Sequence, residues 1–181
     1  AESTFQPPPD LGPKWGFIDH SGKFVIKPQF RRVLGFSEGL AAADLSARWG
    51  YIDNTGVFKI ERSYEEVLSF HKGYAAVRPA QGKWGLIDKT GNMVIPPKYE
   101  AIGDCGNAST PLEPNDLILC PYRAEGKWGF IEINSASDEP KIAAKYENVQ
   151  PFSEGFAAVS QLGKWGFIDT HGNWIAKPIY R

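Results

Sequence analysis

The chain is poor in several features that define common classes of protein. Its 181 residues include only 2 cysteines, 3 histidines and 1 methionine, and the formal net charge is −1. A charge so close to zero offers little attraction to a polyanion, so we do not expect nucleic acid as a partner. No apolar run approaches the roughly 18 residues that a membrane-spanning helix requires, so we expect no membrane span.

Sequence motifs that carry chemistry are also missing. The chain has no glycine-rich phosphate loop, no nucleophile elbow and no His-x-x-x-His pair. His20, His71 and His171 are not spaced as a set of metal ligands. The composition is 42% hydrophobic and 23% charged, which is typical of a folded globular chain. We therefore expect a protein that is not an enzyme, with no catalytic residues, no cofactor and no metal.

What the chain has in abundance is one short phrase, Trp-Gly-aromatic-Ile-Asp in its commonest form. Recurrence of such a phrase about every 35 residues indicates a repeat architecture. Copies of the repeat start near residues 14, 48, 83, 127 and 164. Residues 14–181 are thus predicted to form a single repeat domain, preceded by a proline-rich arm at residues 1–13.

Each copy follows one pattern, which the first copy illustrates. The phrase at Trp15 predicts a strand, and Asp19 to Gly22 predict a type I turn followed by a left-handed glycine. A second antiparallel strand then ends at Phe30, a bend follows, and the alanine-rich stretch at residues 40–43 predicts a third strand. A helical turn is the alternative for that stretch.

Two copies depart from the pattern. The third copy carries an insert around Gly106–Asn115 that is rich in proline and small polar residues, which predicts a surface loop. The fourth copy replaces the tight turn with residues Ile133–Pro140, which predicts a longer hairpin loop.

These residues resemble the WG-repeat family, also described as KWG repeats, which is widespread in bacterial proteins. Lys83 to Tyr99 and Phe152 to Val159 match its signature almost letter for letter, and the likeness spans roughly residues 14–181. The resemblance implies a β-hairpin repeat that serves as an interaction module. It implies no shared activity and no agreed catalytic residues.

The expected fold is therefore all-β, built from tandem antiparallel β-hairpins or three-stranded repeats. One copy cannot bury its own aromatic residues, so neighbouring copies must supply the other wall. A curved open array and a closed five-bladed propeller-like ring both achieve this. We favour the open array, because closure needs residues 1–13 to complete the last blade and prolines are poor ladder partners.

Three sets of recurring residues are candidates for sites. The tryptophans are expected in the structural core, with a row of stacking surfaces as the alternative. The basic residues that precede the tryptophans would form a row if the copies stack in register, and we call this row the basic file. It could bind an acidic partner, or it could be a solvated edge. The acidic residue that ends each phrase is explained by turn formation rather than by calcium binding. The sets are Trp15, Trp49, Trp84, Trp128 and Trp165; Lys14, Arg48, Lys83, Lys127 and Lys164; and Asp19, Asp53, Asp88, Glu132 and Asp169.

Cys105 and Cys120 flank the insert of the third copy. A disulfide between them would close a loop of about 15 residues and stabilise the fold by roughly 3 kcal/mol in the chain-entropy model. Two buried thiols are the alternative. We prefer the disulfide, and with it an extracytoplasmic location in the periplasm or at the cell surface, with the cytoplasm as the alternative.

For function we expect a binding scaffold that mediates protein–protein interaction through the repeat surface. A cell-envelope module that binds glycans through exposed aromatic residues is one alternative. A structural component that assembles with copies of itself is the other, since open repeat ends can join.

Overall fold

The structure, a computed structural model, describes residues 12–80, 82–105, 117–133 and 139–180. Nearly all of the proline-rich arm, the insert of the third copy and the centre of the Ile133–Pro140 loop lie outside the described residues. Our expectations for those segments therefore stay predictions. Within the described ranges, no helix is long and apolar enough to cross a membrane.

The described part of the chain is built from strands joined by turns. The strands, in chain order, are β1 (Trp15–Ile18), β2 (Phe24–Phe30), β3 (Arg32–Val33), β4 (Ala41–Asp44), β5 (Trp49–Ile52), β6 (Phe58–Val67), β7 (Tyr74–Pro79), β8 (Trp84–Asp88), β9 (Met93–Tyr99), β10 (Ala101–Ile102), β11 (Leu119–Ala124), β12 (Lys127–Glu132), β13 (Ile142–Tyr146), β14 (Asn148–Val149), β15 (Phe156–Gln161), β16 (Lys164–Asp169) and β17 (Trp174–Tyr180).

Every ladder between these strands is antiparallel and joins neighbours in sequence. Strands β3 to β9 form one seven-stranded sheet, β10 to β13 and β14 to β17 form two four-stranded sheets, and β1 pairs with β2. Among the described residues no ladder joins β17 to β1. The prediction of an all-β open repeat array is confirmed, and the alanine-rich stretches are strands rather than helical turns.

The glycine of each phrase allows two backbones to approach closely. A Cβ atom on Gly50 would lie 2.5 Å from the carbonyl oxygen of Ile60. The register shifts at this point, between Trp49 and Tyr51. Glycine is therefore required where β5 bulges against β6.

The turn after each phrase has the predicted hydrogen bonding, as the second copy shows. Gly56 N donates to Asp53 O at 3.0 Å, and the φ of Gly56 is 86°. The Asp53 side chain accepts hydrogen bonds from Thr55 Oγ1 at 2.6 Å and from the Thr55 and Val57 amides. The Thr55 hydroxyl and these amides hold the pKa of Asp53 at about 2. The pKa of the corresponding turn carboxyl is also lowered by hydrogen bonds at Asp19, Asp88 and Asp169.

Two contacts recur between adjacent copies, the first at three junctions and the second at two. The turn glycine of one copy lies on an isoleucine of the copy before it, so that a Cβ on Gly56 would be 3.0 Å from Cγ2 of Ile26. The closing aromatic residue meets an aromatic residue of the next copy, as in Phe30 with Phe58, whose ring centroids are 6.2 Å apart. Stability is thus shared between neighbours.

Within a copy, the aromatic residue of the phrase packs against a phenylalanine in the bend, and we call this pair the aromatic clamp. The ring centroids are 4.8 Å apart for Tyr51 and Phe70. The third copy has Leu86 and Cys105 at these two positions. There the structure contains a disulfide from Cys105 to Cys120, and both cysteines are buried. The covalent bond takes the place of the missing clamp.

The structure adds one element that the sequence pattern did not predict. Instead of bending directly after its closing aromatic residue, the chain stays extended for two or three residues and pairs with the next alanine-rich strand. These short segments are β3, β10, β14 and the last residues of β6. Each copy therefore contributes to a sheet of more than three strands.

The disulfide predicts a specific stability series. Replacing both cysteines, as Cys105→Ala with Cys120→Ala, should lower the free energy of unfolding by about 3 kcal/mol, because the copy then has neither bond nor clamp. Cys105→Phe with Cys120→Ala supplies the residue types found at Phe70 and Ala75. It should recover about 1 kcal/mol of that loss, because the phenylalanine ring buries apolar surface near Leu86. Urea unfolding measures both variants. Equal stability of the two variants would contradict the replacement of the clamp by the disulfide.

The turn carboxyls predict how stability depends on pH. The pKa of Asp53 is lowered from 3.8 to about 2. Its contribution is therefore present above the unfolded value and is lost as the pH falls through the folded value. The free energy of unfolding should decline on acidification between about pH 4 and pH 2. Asp53→Asn should make that decline shallower, whereas Asn54→Ser, which changes no titrating group in the same turn, should not. Unfolding curves across this pH range are the measurement, and parallel declines in parent and Asp53→Asn would contradict the assignment.

Candidate functional site

The tryptophans of the repeat differ in their exposure to solvent. Trp49 is 8% exposed and belongs to the core, whereas Trp84, Trp128 and Trp165 are half-buried. Trp15 is 55% exposed, so the expectation of a core tryptophan is wrong at this position. The reason is that β1 pairs only with β2 in the described part of the chain, and no alanine-rich strand covers its other edge.

A notch opens in the sheet where a strand stops pairing with one neighbouring strand and begins to pair with another. Strand β6 pairs first with β5 and then with β7, and Tyr64 lies opposite both Trp49 and Pro79. Beyond Tyr64 the strand has left β5, so in the described structure residues 65–67 have a ladder partner on one side only. Strand β3 likewise pairs only with β4. Among the described residues, both segments therefore have one strand edge without a ladder partner.

Two adjoining cavities lie at these notches in the first three copies, and we call the two together the indole groove. Its first segment, of about 340 Å³, lies between Trp15 and Trp49. Its second segment, of about 410 Å³, lies between Trp49 and Trp84. Arg32, Leu34 and Trp49 line both segments, so the two segments adjoin at these residues. The lining residues are Trp15, Arg32, Val33, Leu34, Trp49, Glu65, Glu66, Val67, Leu68 and Trp84.

Arg32 is held in place between the two segments. Its Nε donates to Asp44 Oδ2 at 2.7 Å, and its Nη2 lies 2.6 Å from the same oxygen. The guanidinium carbon lies 4.6 Å from the centre of a Trp49 ring. The Asp44 side chain is fully buried and also accepts a hydrogen bond from the Ala47 amide, whereas the Arg32 side chain is 54% exposed. The pair thus presents its cation to solvent and keeps its anion beneath.

Two glutamates that line the second segment, Glu65 and Glu66, pair with two arginines that lie outside its lining. Glu65 lies 3.8 Å from Arg48 and 3.5 Å from Arg78. Arg78 Nη2 donates to Glu66 Oε1 at 2.6 Å. The Glu66 side chain is 54% exposed and that of Arg78 is 28% exposed. In this pair the anion is the more accessible member.

The predicted basic file does not enter the groove. Arg48 is half-buried, and its Nη1 lies 3.8 Å from Glu65 Oε1 without a hydrogen bond. Lys83, Lys127 and Lys164 are exposed at the start of successive Trp strands. Lys14 is exposed as well. The groove-lining residues include none of the file's side chains.

The remaining candidates lie in separate places. The described residues contain no cluster of three or more His, Cys, Asp or Glu side chains that could hold a metal ion. The turn carboxylates are engaged by the amides of their own turns. Glu132 pairs with Lys141 at 3.0 Å, and His71 lies 3.4 Å from Asp104 of the next copy. These groups do not share a cleft with the indole groove.

The sequence reasoning overlooked the charged residues of the groove, although a signal for them exists. Arg32 bonds to a residue twelve positions later, and so do Glu66 and Asn148. In each case the two residues are polar and complementary, and the first of them occupies the same position of the repeat, two residues after the closing aromatic residue. It becomes visible only once the copies are aligned with each other.

Comparison with known proteins identifies the repeat. A family model described as "WG containing repeat" matches residues 15–45, 49–79, 84–104, 128–165 and 165–181. No curated protein matches the sequence significantly. Among solved structures, the chain is similar to the computationally designed Ika8 protein with 14% identity and a TM-score of 0.47, covering 86% of this chain and 52% of that one. It is also similar to the computationally designed Ika4 protein with 13% identity and a TM-score of 0.44, covering 76% of this chain and 91% of that one.

The buried carboxylate predicts a contrast between two arginines. Arg32→Ala should lower the free energy of unfolding by about 1 to 3 kcal/mol, because it leaves Asp44 buried without its cation. Arg123→Ala is the control, since Arg123 and Glu100 are both exposed at 3.9 Å. It should cost less than about 1 kcal/mol. Urea unfolding of both variants measures the difference, and equal losses would show that the Arg32–Asp44 pair adds nothing beyond a surface contact.

Proposed function

The chain belongs to the WG-repeat family, and we propose that it is a non-enzymatic scaffold that binds an extended segment of another protein in the indole groove. The observation that carries this proposal is a free strand edge bordered by indole rings. Residues 65–67 offer amides and carbonyls without a ladder partner on the groove side, between Trp49 and Trp84. An extended peptide can add to such an edge as a further strand, with its backbone giving affinity and its side chains giving specificity.

The side chains of the groove support a protein partner. Tryptophan and arginine are enriched at the energetically dominant positions of protein interfaces, and here Trp49 and Arg32 stack on each other at the centre of the groove. Leu68, which is 36% exposed, adds apolar surface beside the free edge.

The charged groups of the groove support a binding role rather than catalysis. Arg32 is bonded to Asp44, and Arg78 is bonded to Glu66. General acid–base catalysis requires a group whose proton can be exchanged with a substrate at hydrogen-bond distance. Groups already engaged in close ion pairs are better suited to recognition.

We also propose that the protein works outside the cytoplasm, in the periplasm or at the cell surface. The Cys105–Cys120 disulfide supports this location, because disulfides persist mainly in oxidising compartments.

Selection from a randomised peptide library displayed on phage tests the binding proposal. Peptides selected on the parent protein should bind Trp15→Ala and Leu68→Lys at least about 10-fold more weakly, since each change removes groove surface at an exposed position. Ile175→Ala is the matched control, because Ile175 is 60% exposed in the last copy, away from the groove. It should leave the Kd unchanged. Circular dichroism confirms that each variant is folded.

Two results would contradict the proposal. One is a set of selected peptides whose affinity is indifferent to both groove variants. The other is binding of polysaccharide, with no peptide bound, that is lost in Trp15→Ala.

A further inference from the structure

One position of the repeat carries opposite charges in successive copies. Arg32 lies opposite Asp44 in the ladder of β3 and β4. Glu66 lies opposite Arg78 in the ladder of β6 and β7. The two pairs are equivalent in register, yet cation and anion have exchanged places. The corresponding pair at Asn148 and Ser160 is uncharged, so the fold does not require ions here.

The exchange reverses the charge that meets the solvent. Arg32 and Glu66 are each 54% exposed, while their partners Asp44 and Arg78 are 0% and 28% exposed. A bound segment therefore contacts the guanidinium at the Arg32–Asp44 pair and the carboxylate at the Glu66–Arg78 pair. A charge placed opposite a like charge in an interface weakens binding and selects against the wrong orientation.

Both exposed charges belong to the same groove and have an order along it. Arg32 lines both segments of the indole groove, whereas Glu66 lines only the second, beyond Trp49. A chain lying along the groove thus passes the cation before the anion, or the reverse if it runs the other way. The groove is apolar between them, where Trp49 and Leu68 lie.

We infer that the two reversed ion pairs fix the direction and register of the bound segment. The segment carries an acidic side chain at Arg32, a basic side chain at Glu66 and an apolar side chain between them against the indoles. This inference rests on the proposed function, because it specifies the chemistry of the peptide that the same groove takes.

The test compares peptides selected on two forms of the full chain. On the parent, enriched library peptides should carry one acidic and one basic residue in a constant order around an apolar residue. Exchanging those two residues in a selected peptide should raise its Kd at least about 10-fold. On the variant Glu66→Arg with Arg78→Glu, the basic residue should be replaced by an acidic one. If this variant does not fold, Glu66→Gln should abolish the basic preference on its own.

A second exchanged pair is the control. Glu100→Arg with Arg123→Glu reverses an exposed pair outside the groove and should leave the selected peptides unchanged. Peptides that require Trp15 and Leu68 but show no charge order, or keep the parent order on the Glu66→Arg/Arg78→Glu variant, would overturn this inference and leave the binding scaffold intact. Peptides that require neither Trp15 nor Leu68 would overturn both this inference and the proposed binding scaffold.

Discussion

The architecture depends on extended segments that close one copy and pair with the next, and in β6 the strand passes from one to the other without a break. Tyr64 of β6 is paired on both sides, with Trp49 behind it and Pro79 ahead of it. Because the strand changes partner at this residue, neither copy completes its sheet without the other. The same crossing leaves one edge of residues 65–67 free. The constraint that couples the copies is therefore also the one that creates the groove.

Several features of this structure could be predicted from the sequence. The period of the Trp-Gly phrase identifies the copies, the Asp-to-Gly spacing identifies the turns, and the two cysteines beside the insert identify the disulfide. These features are local, so their residue types decide them. Gly50 is an example, since its position in the phrase already suggests the close approach to Ile60 that the structure contains.

The binding surface could not be predicted in the same way, because it depends on which strand edge stays unpaired. Trp15 and Trp49 occupy the same place in the phrase, but one is exposed and the other is buried, since only Trp49 has an alanine-rich strand beside it. The basic residues before each tryptophan are conspicuous in the sequence, whereas the groove uses Arg32 and Glu66 instead. Register, rather than residue type, brings those two side chains to one surface.

The central claim is that a protein segment binds along the free edge of the indole groove, and amide hydrogen exchange tests it directly. Exchange is measured by mass spectrometry on the full chain with and without a selected peptide. The account predicts slower exchange in the peptide complex at the amides of residues 32–33 and 65–67, with no change in the last copy. Protection confined to the bends or to the last copy, with these two segments unaffected, would contradict it.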